Sequence, residues 1–240
     1  MDEPNNSRAT LKYAFELELL MKKLDAYRGK LTASQVAEGM NAALENSQRL
    51  ASDAELLLKA GSFALASSIA ALAIEEAGKV SILRSLSVAK TQSEINDIWK
   101  EYRSHTRKNV AWILPQLAAS GARKLEDLRP IFDQSSDHPQ LLDQLKQLGF
   151  YTDCLGKAHW SRPSEVIDES LSRSLVTIAK LLAKGSKHTE KEIELWVEHV
   201  GPVWKQDMAW MKQAVANWYT AMQAHGLAPD GPNTMAEFVR

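Results

Sequence analysis

Apolar residues recur every three to four positions along most of the chain, and no stretch alternates convincingly with the period of two that a half-buried strand needs. The pattern predicts an all-α protein. A first helix is expected over Arg8–Arg28, with Leu11, Phe15 and Leu19 near one face and Leu17, Leu20, Met21 and Leu24 near another. Thr32-Ala-Ser-Gln35 has the spacing of a capping box, in which two side chains satisfy free backbone N–H groups reciprocally. It opens a second helix to about Ala60, with Val36, Met40, Ala43, Leu44, Leu50, Ala54 and Leu57 as its stripe and Gly61 as its stop. The third helix, from about Ser62 to Val88, is apolar nearly all round before Glu75, as befits a helix enclosed by others.

A second capping box, Thr91-Gln-Ser-Glu94, opens a fourth helix carrying Trp99, Tyr102, His105, Lys108 and Trp112, which Pro115 ends or kinks. A looser connection follows over 118–137, and Asp137-His-Pro-Gln140 starts a fifth helix to about Leu148. Gly149 to Pro163 is the most irregular stretch, and it holds Phe150, Tyr151, Cys154, His159 and Trp160. Pro163 suits the first turn of a sixth helix that runs to about Lys184. Thr189-Glu-Lys-Glu192 caps another helix, Gly201-Pro202 interrupts it, and a last helix carries Trp204, Trp210, Trp218 and Tyr219. The organisation expected is an N-terminal helix (1–31), a helical core (32–185), a C-terminal helical extension (186–226) and a tail (227–240).

Composition narrows the function more than the fold. With 29 basic and 30 acidic residues the formal net charge is −1, so no global field draws the 240-residue chain to nucleic acid or lipid, and an RNA role requires a local basic patch. A single cysteine, Cys154, excludes a disulfide within the chain and fits a reducing cytosol. No apolar run reaches membrane-spanning length, and MDEPNNSRAT lacks the basic and apolar regions of a signal peptide. A cytoplasmic protein without a membrane partner is expected.

Two segments carry candidate chemistry. In the third helix Glu75, Glu76 and Lys79 stand among Ala, Ile and Leu, with Lys79 four positions after Glu75 and three after Glu76. The two carboxylates point about 100° apart, so at least one is directed at other helices. A buried carboxylate costs several kcal/mol unless it is paired, and Gly78 costs about 1 kcal/mol against alanine within a helix. Both costs suggest that something approaches closely here. The plain alternative is an exposed ion pair where the polar face begins. The second segment, Lys100-Glu-Tyr-Arg-Ser-His-Thr-Arg-Lys-Asn109, is the densest basic patch: His105 and Lys108 share one face, while Arg103 and Arg107 share another. A neutral imidazole can take a proton from a hydroxyl, and a neighbouring lysine can stabilise a developing phosphorane. Those are the needs of RNA cleavage by the adjacent 2′-hydroxyl, which requires no metal. A solvated basic face is the competing reading. The remaining histidines lack zinc spacing, and neither a P-loop nor a dinucleotide fingerprint occurs, so no metal and no cofactor is expected.

Asn41-Ala-Ala-Leu-Glu-Asn46, Arg49-Leu-Ala-Ser-Asp-Ala54 and the stretch from Ala66 to Glu75-Glu-Ala-Gly-Lys79 resemble the AbiV-type abortive-infection proteins of the HEPN superfamily. His105-Thr-Arg-Lys108 is similar to their His-x-x-Lys element, and Gly149-Phe-Tyr-Thr-Asp153 followed by Trp160-Ser-Arg-Pro-Ser-Glu165 is similar to their aromatic loop. The likeness covers roughly 34–184. It implies a helical bundle, homodimerisation, and RNase activity in antiphage defence. Many HEPN RNases use an Arg-x(4–6)-His motif; here Arg103 is only two positions before His105, and Lys100 stands five before it. The resemblance gives His105 the role of general base or acid, Lys108 that of phosphate binder, Glu75 or Glu76 that of orienting group, and Lys79, Lys100, Arg103 and Arg107 that of RNA contacts. RNA and a phage or host protein trigger are the partners it implies. The alternative reading is a non-catalytic helical module that binds a phage or host protein.

Overall fold

The computed structural model describes residues 26–133 and 135–240, and within them the protein is all-α apart from one short hairpin. The helix predicted over Arg8–Arg28 lies outside the described residues but for its last three, which are irregular.

Helix α1 (Ala33–Lys59) begins at the expected capping box: Gln35 N–H donates to Thr32 Oγ1 at 3.2 Å and Thr32 N–H donates to Gln35 Oε1 at 3.0 Å. It ends in paired bonds from the Gly61 and Ser62 N–H groups to the Leu58 and Leu57 carbonyls, which satisfy its last free acceptors and turn the chain back. Helix α2 (Phe63–Ser87) then runs against α1, and it buries residues all round its circumference, including Ala66, Ala70, Ala71, Ala73 and Ile74.

Helix α3 (Gln92–Arg103) opens at the second predicted capping box. It does not continue through His105. Ser104 turns to an extended conformation (φ −78°, ψ 128°), and its hydroxyl caps a separate single turn, α4 (His105–Lys108). A 3-10 turn (Val110–Ile113) follows. Pro115 then starts a short helix α5 (Leu114–Ala119) instead of ending a long one. The connection to the next long helix holds a 3-10 turn (Leu125–Leu128) and α6 (Arg129–Phe132).

Helix α7 (His138–Phe150) is the predicted fifth helix. The irregular stretch after it contains an antiparallel hairpin, β1 (Asp153–Leu155) with β2 (His159–Ser161), pairing Cys154 with Trp160. The predicted sixth helix is two: α8 (Pro163–Val166) stops before buried Ile167, and the Asp168 carboxylate accepts from Leu171 N–H at 2.8 Å to cap α9 (Glu169–Leu182).

The core has two parts along α2. Near its start, alanines of α1, α2 and α9 let three helices pack closely around Ile74, Leu142 and Leu175. Near its end, Met40, Leu83, Leu86 and Trp99 gather with Ile193 of α10 (Glu190–Val200). The segment beyond Gly185 is thus fastened to the core. Glu192 of α10 meets Arg84 of α2 at 2.5 Å, and the Asn41 side chain exchanges bonds of 2.9 and 2.8 Å with the His188 backbone. Thr189 caps α10, but Glu192, occupied by Arg84 and His188, does not complete the predicted box. A third cluster joins α10 to α11 (Met208–Ala224), with Trp196 and Trp218 edge to face at 5.1 Å. Trp204 precedes α11, and the expected tail carries a short helix α12 (Thr234–Phe238). No helix among the described residues is long and apolar enough to cross a membrane.

Candidate functional site

Two close approaches to α2 build the site. A Cβ on Gly78 would lie 2.0 Å from the Lys108 carbonyl oxygen, so the α4 turn sits directly on α2 only because residue 78 is glycine. A Cβ on Gly149 would lie 2.2 Å from Ser68 Oγ, and that hydroxyl donates to the Lys146 carbonyl at 3.0 Å, which seats α7 on the neighbouring face. The approach expected at Gly78 is therefore made by the backbone of the basic turn itself.

Glu75 stands where the two seams meet, with only 2% of its surface exposed. Its Oε2 lies 2.7 Å from His105 Nδ1 and 3.4 Å from Lys108 Nζ, and its Oε1 accepts from Lys146 Nζ at 2.6 Å. Lys146 is 4% exposed and also lies 2.7 Å from Asp143 Oδ1. Burial pulls the Lys146 ammonium towards neutrality, but the bonds and charges of Asp143 and Glu75 outweigh it and raise its pKa above the ordinary lysine value. A carboxylate this deep would be costly alone, and two ammonium groups and an imidazole N–H compensate it.

The contacts fix the imidazole tautomer. A 2.7 Å separation between a carboxylate oxygen and a ring nitrogen requires a proton between them, and an ionised carboxylate has none to give. Nδ1 therefore carries the hydrogen. Lys146 Nζ lies 3.3 Å from the same nitrogen, donates to Glu75 Oε1 at 2.6 Å and forms an ion pair with Asp143 at 2.7 Å. Neutral His105 thus keeps its lone pair on Nε2, which has no hydrogen-bond partner among the described residues. The side chain is 58% exposed, and it is the member of the cluster that solvent reaches best.

Glu75, His105 and Lys108 are thus brought together, and the other expected site residues are not. Glu76 turns away and pairs with Lys79 at 2.5 Å, and the Lys79 ammonium lies over the Tyr102 ring. Lys100 is an exposed ion pair with Asp97 at 2.8 Å. Arg103 stacks on Trp99 and donates to the Tyr27 carbonyl at 2.6 Å, fastening the chain before α1. Arg107 is exposed and faces a groove beyond the turn. Lys108, expected to bind phosphate, instead directs its ammonium to Glu75 and is 7% exposed.

Sequence reasoning missed Lys146 and Asp143. The signal was the stripe Leu142, Lys146 and Gly149, a lysine on the buried face of α7. Glu75, His105 and Asp143 offer ligand atoms within 4.8 Å of one another, the arrangement of a cation site, and the Lys146 ammonium lies among them.

The family model for AbiV, of the HEPN type, matches residues 35–184. That span contains every group in the cluster. No match was found among curated proteins or among solved structures.

Proposed function

The chain belongs to the AbiV family of HEPN-type proteins, and from that premise we propose that it is an antiphage abortive-infection RNase that cleaves host RNA without a metal and so arrests translation. The observation that carries the reading is the dyad of buried Glu75 and exposed His105 at 2.7 Å.

In this reading His105 Nε2 takes the proton of a ribose 2′-hydroxyl. The 2′ oxygen attacks the adjacent phosphorus, the bond to the 5′ oxygen breaks, and a cyclic phosphate is left. Glu75 is a positioning residue: it holds the tautomer that exposes the basic nitrogen and stabilises the imidazolium that forms. Lys108 and Lys146 hold Glu75 in place. The departing 5′ oxygen needs a proton, and the second His105 of a homodimer, in its imidazolium form, supplies it. A phage or host protein acts as trigger.

The test is cleavage of tRNA and total RNA by the purified protein in EDTA, beside His105→Ala. Loss of cleavage in the variant is expected, and equal cleavage by both proteins overturns the assignment. A second reading has its own observation. Tyr151 and Trp160 around the hairpin are 61% and 66% exposed, which suits a non-catalytic module that captures a phage or host protein. It predicts a stable protein complex that His105→Ala leaves intact, with no RNA cleaved.

A further inference from the structure

Beyond the α4 turn, on the same side of α2 as Gly78, a groove of about 540 Å³ opens. Its floor is apolar: Ile82 and Ile131 are both buried. Phe132 stands at its edge, 68% exposed. Glu101, Arg107 and Ser81 also line it, and the Ser81 hydroxyl already donates to the Gly78 carbonyl at 3.0 Å. Asp133 also lines it, but its Oδ1 already accepts from the Ser135 N–H at 2.9 Å and hydroxyl at 2.7 Å. Neither Glu101 nor Arg107 has an ion-pair partner among the described residues.

The size falls within the roughly 300–1,000 Å³ of small-molecule sites. An apolar floor, an exposed aromatic ring and polar lining residues suit a flat heterocycle, because every nucleobase has a face to stack and an edge to hydrogen-bond. Charge decides which part of a nucleotide enters. Two carboxylates against one guanidinium do not attract a phosphate into the groove, whereas a carboxylate accepts well from base N–H groups. Guanine presents two such donors side by side, N1–H and N2–H, which match the two oxygens of one carboxylate; adenine presents only its amino group on that edge.

We propose that this groove binds a guanine base of single-stranded RNA, with Phe132 stacking on it, Glu101 accepting from its N1–H and N2–H, and Arg107 holding the phosphate at the mouth. Position links it to the dyad. The same turn supplies His105 to one side and Arg107 to the other, and Ser81 follows Glu75 by six residues, about 9 Å along the helix. Adjacent nucleotides of one strand then occupy the dyad and the groove together. That RNA is the ligand rests on the function proposed above; that the groove prefers guanine does not.

The experiment titrates the full chain with 5′-GMP, 5′-AMP, 5′-CMP and 5′-UMP by isothermal calorimetry. GMP is expected to bind at least fivefold tighter than AMP. Glu101→Gln removes that preference, Phe132→Ala weakens all four, and His105→Ala changes none. Both test positions are exposed, and thermal melts verify that the variants fold. Equal binding of all four nucleotides, no binding, or a guanine preference that survives Glu101→Gln each overturns the inference. Intact GMP preference in a protein that cleaves no RNA counts against the catalytic reading alone, and cleavage without base preference counts against the groove alone.

Discussion

Replacing Lys146 by methionine tests whether the buried carboxylate depends on its lysine. The volume is nearly kept, so packing on α2 is not the variable. What is lost is the ammonium 2.6 Å from Glu75 Oε1 and 2.7 Å from Asp143 Oδ1. Removing one partner of a buried pair costs about 3–5 kcal/mol. Glu75 keeps His105 and Lys108 on its other oxygen, so the lower end applies, about 3 kcal/mol. For a chain of this size that lowers the melting temperature by roughly 6–12 °C. The pH dependence has a definite sign. The folded-state pKa of Lys146 is raised above its ordinary 10.5, so its stabilisation is fully present below about pH 10.5 and fades as pH rises through the folded value. The deficit of Lys146→Met is therefore constant from neutral pH to about 10 and shrinks at stronger alkali. Urea denaturation followed by circular dichroism between pH 7 and 11 measures it. A variant within about 0.5 kcal/mol of the parent at pH 7 would refute the argument that Glu75 relies on this lysine.

Two further substitutions probe the frame around the site. Gly78→Ala gains about 1 kcal/mol of helix propensity but drives a methyl into the Lys108 carbonyl at 2.0 Å, so a net loss of about 2 kcal/mol is expected in urea; a stabilised variant contradicts the close approach. Glu192→Gln unpairs Arg84 and costs about 2 kcal/mol at pH 7. Burial raises the Glu192 pKa, but His188 and Arg84 outweigh it and hold it below 4.5. Its contribution is full above that pH and lost as pH falls through the folded value, so parent and variant should converge in acid melts. A gap that does not begin to narrow as pH falls below 4.5 rules out ionisation of Glu192 as its source.

The sequence announced what local chemistry decides. The boxes at Thr32 and Thr91 start helices where expected, and the apolar circumference of 63–74 places that helix at the centre. Gly78 signalled a close neighbour without naming it. What was hidden depends on contacts between distant segments. Nothing in Lys100–Asn109 forbids a continuous helix, since it has neither glycine nor proline; the break at Ser104 accompanies the docking of the following turn on α2. Pro115 reads as a stop until the chain has already broken before it. Lys146, three residues after Asp143, looks like an ordinary surface ion pair, and only its place between Leu142 and Gly149 betrays burial. Asp168 was a readable cap, but the apolar period runs through it and conceals it.

The identity of Glu75 as a carboxylate, and not merely as a polar group of that shape, follows from counting donors. Three converge on it: His105 Nδ1–H, Lys108 and Lys146. Glutamine at the same position has one acceptor oxygen, and its amide nitrogen can only donate. With the oxygen towards Lys146, the amide faces His105 and forces the hydrogen from Nδ1 to Nε2, which removes the exposed lone pair. With the oxygen towards His105, the tautomer survives but the amide opposes the buried Lys146 ammonium. The Lys146 contact, at 2.6 Å and with both groups buried, decides for the first arrangement. Glu75→Gln is therefore expected to lower RNA cleavage by about 100-fold or more, the scale of a positioned acid–base group. The loss should match that of His105→Ala, because two residues acting as one unit do not lose activity additively. The double variant should then be no slower than either single one. Single-turnover cleavage by the three variants measures this, and a Glu75→Gln protein with the parent's rate would show that the carboxylate only holds α4 and α7 to the core.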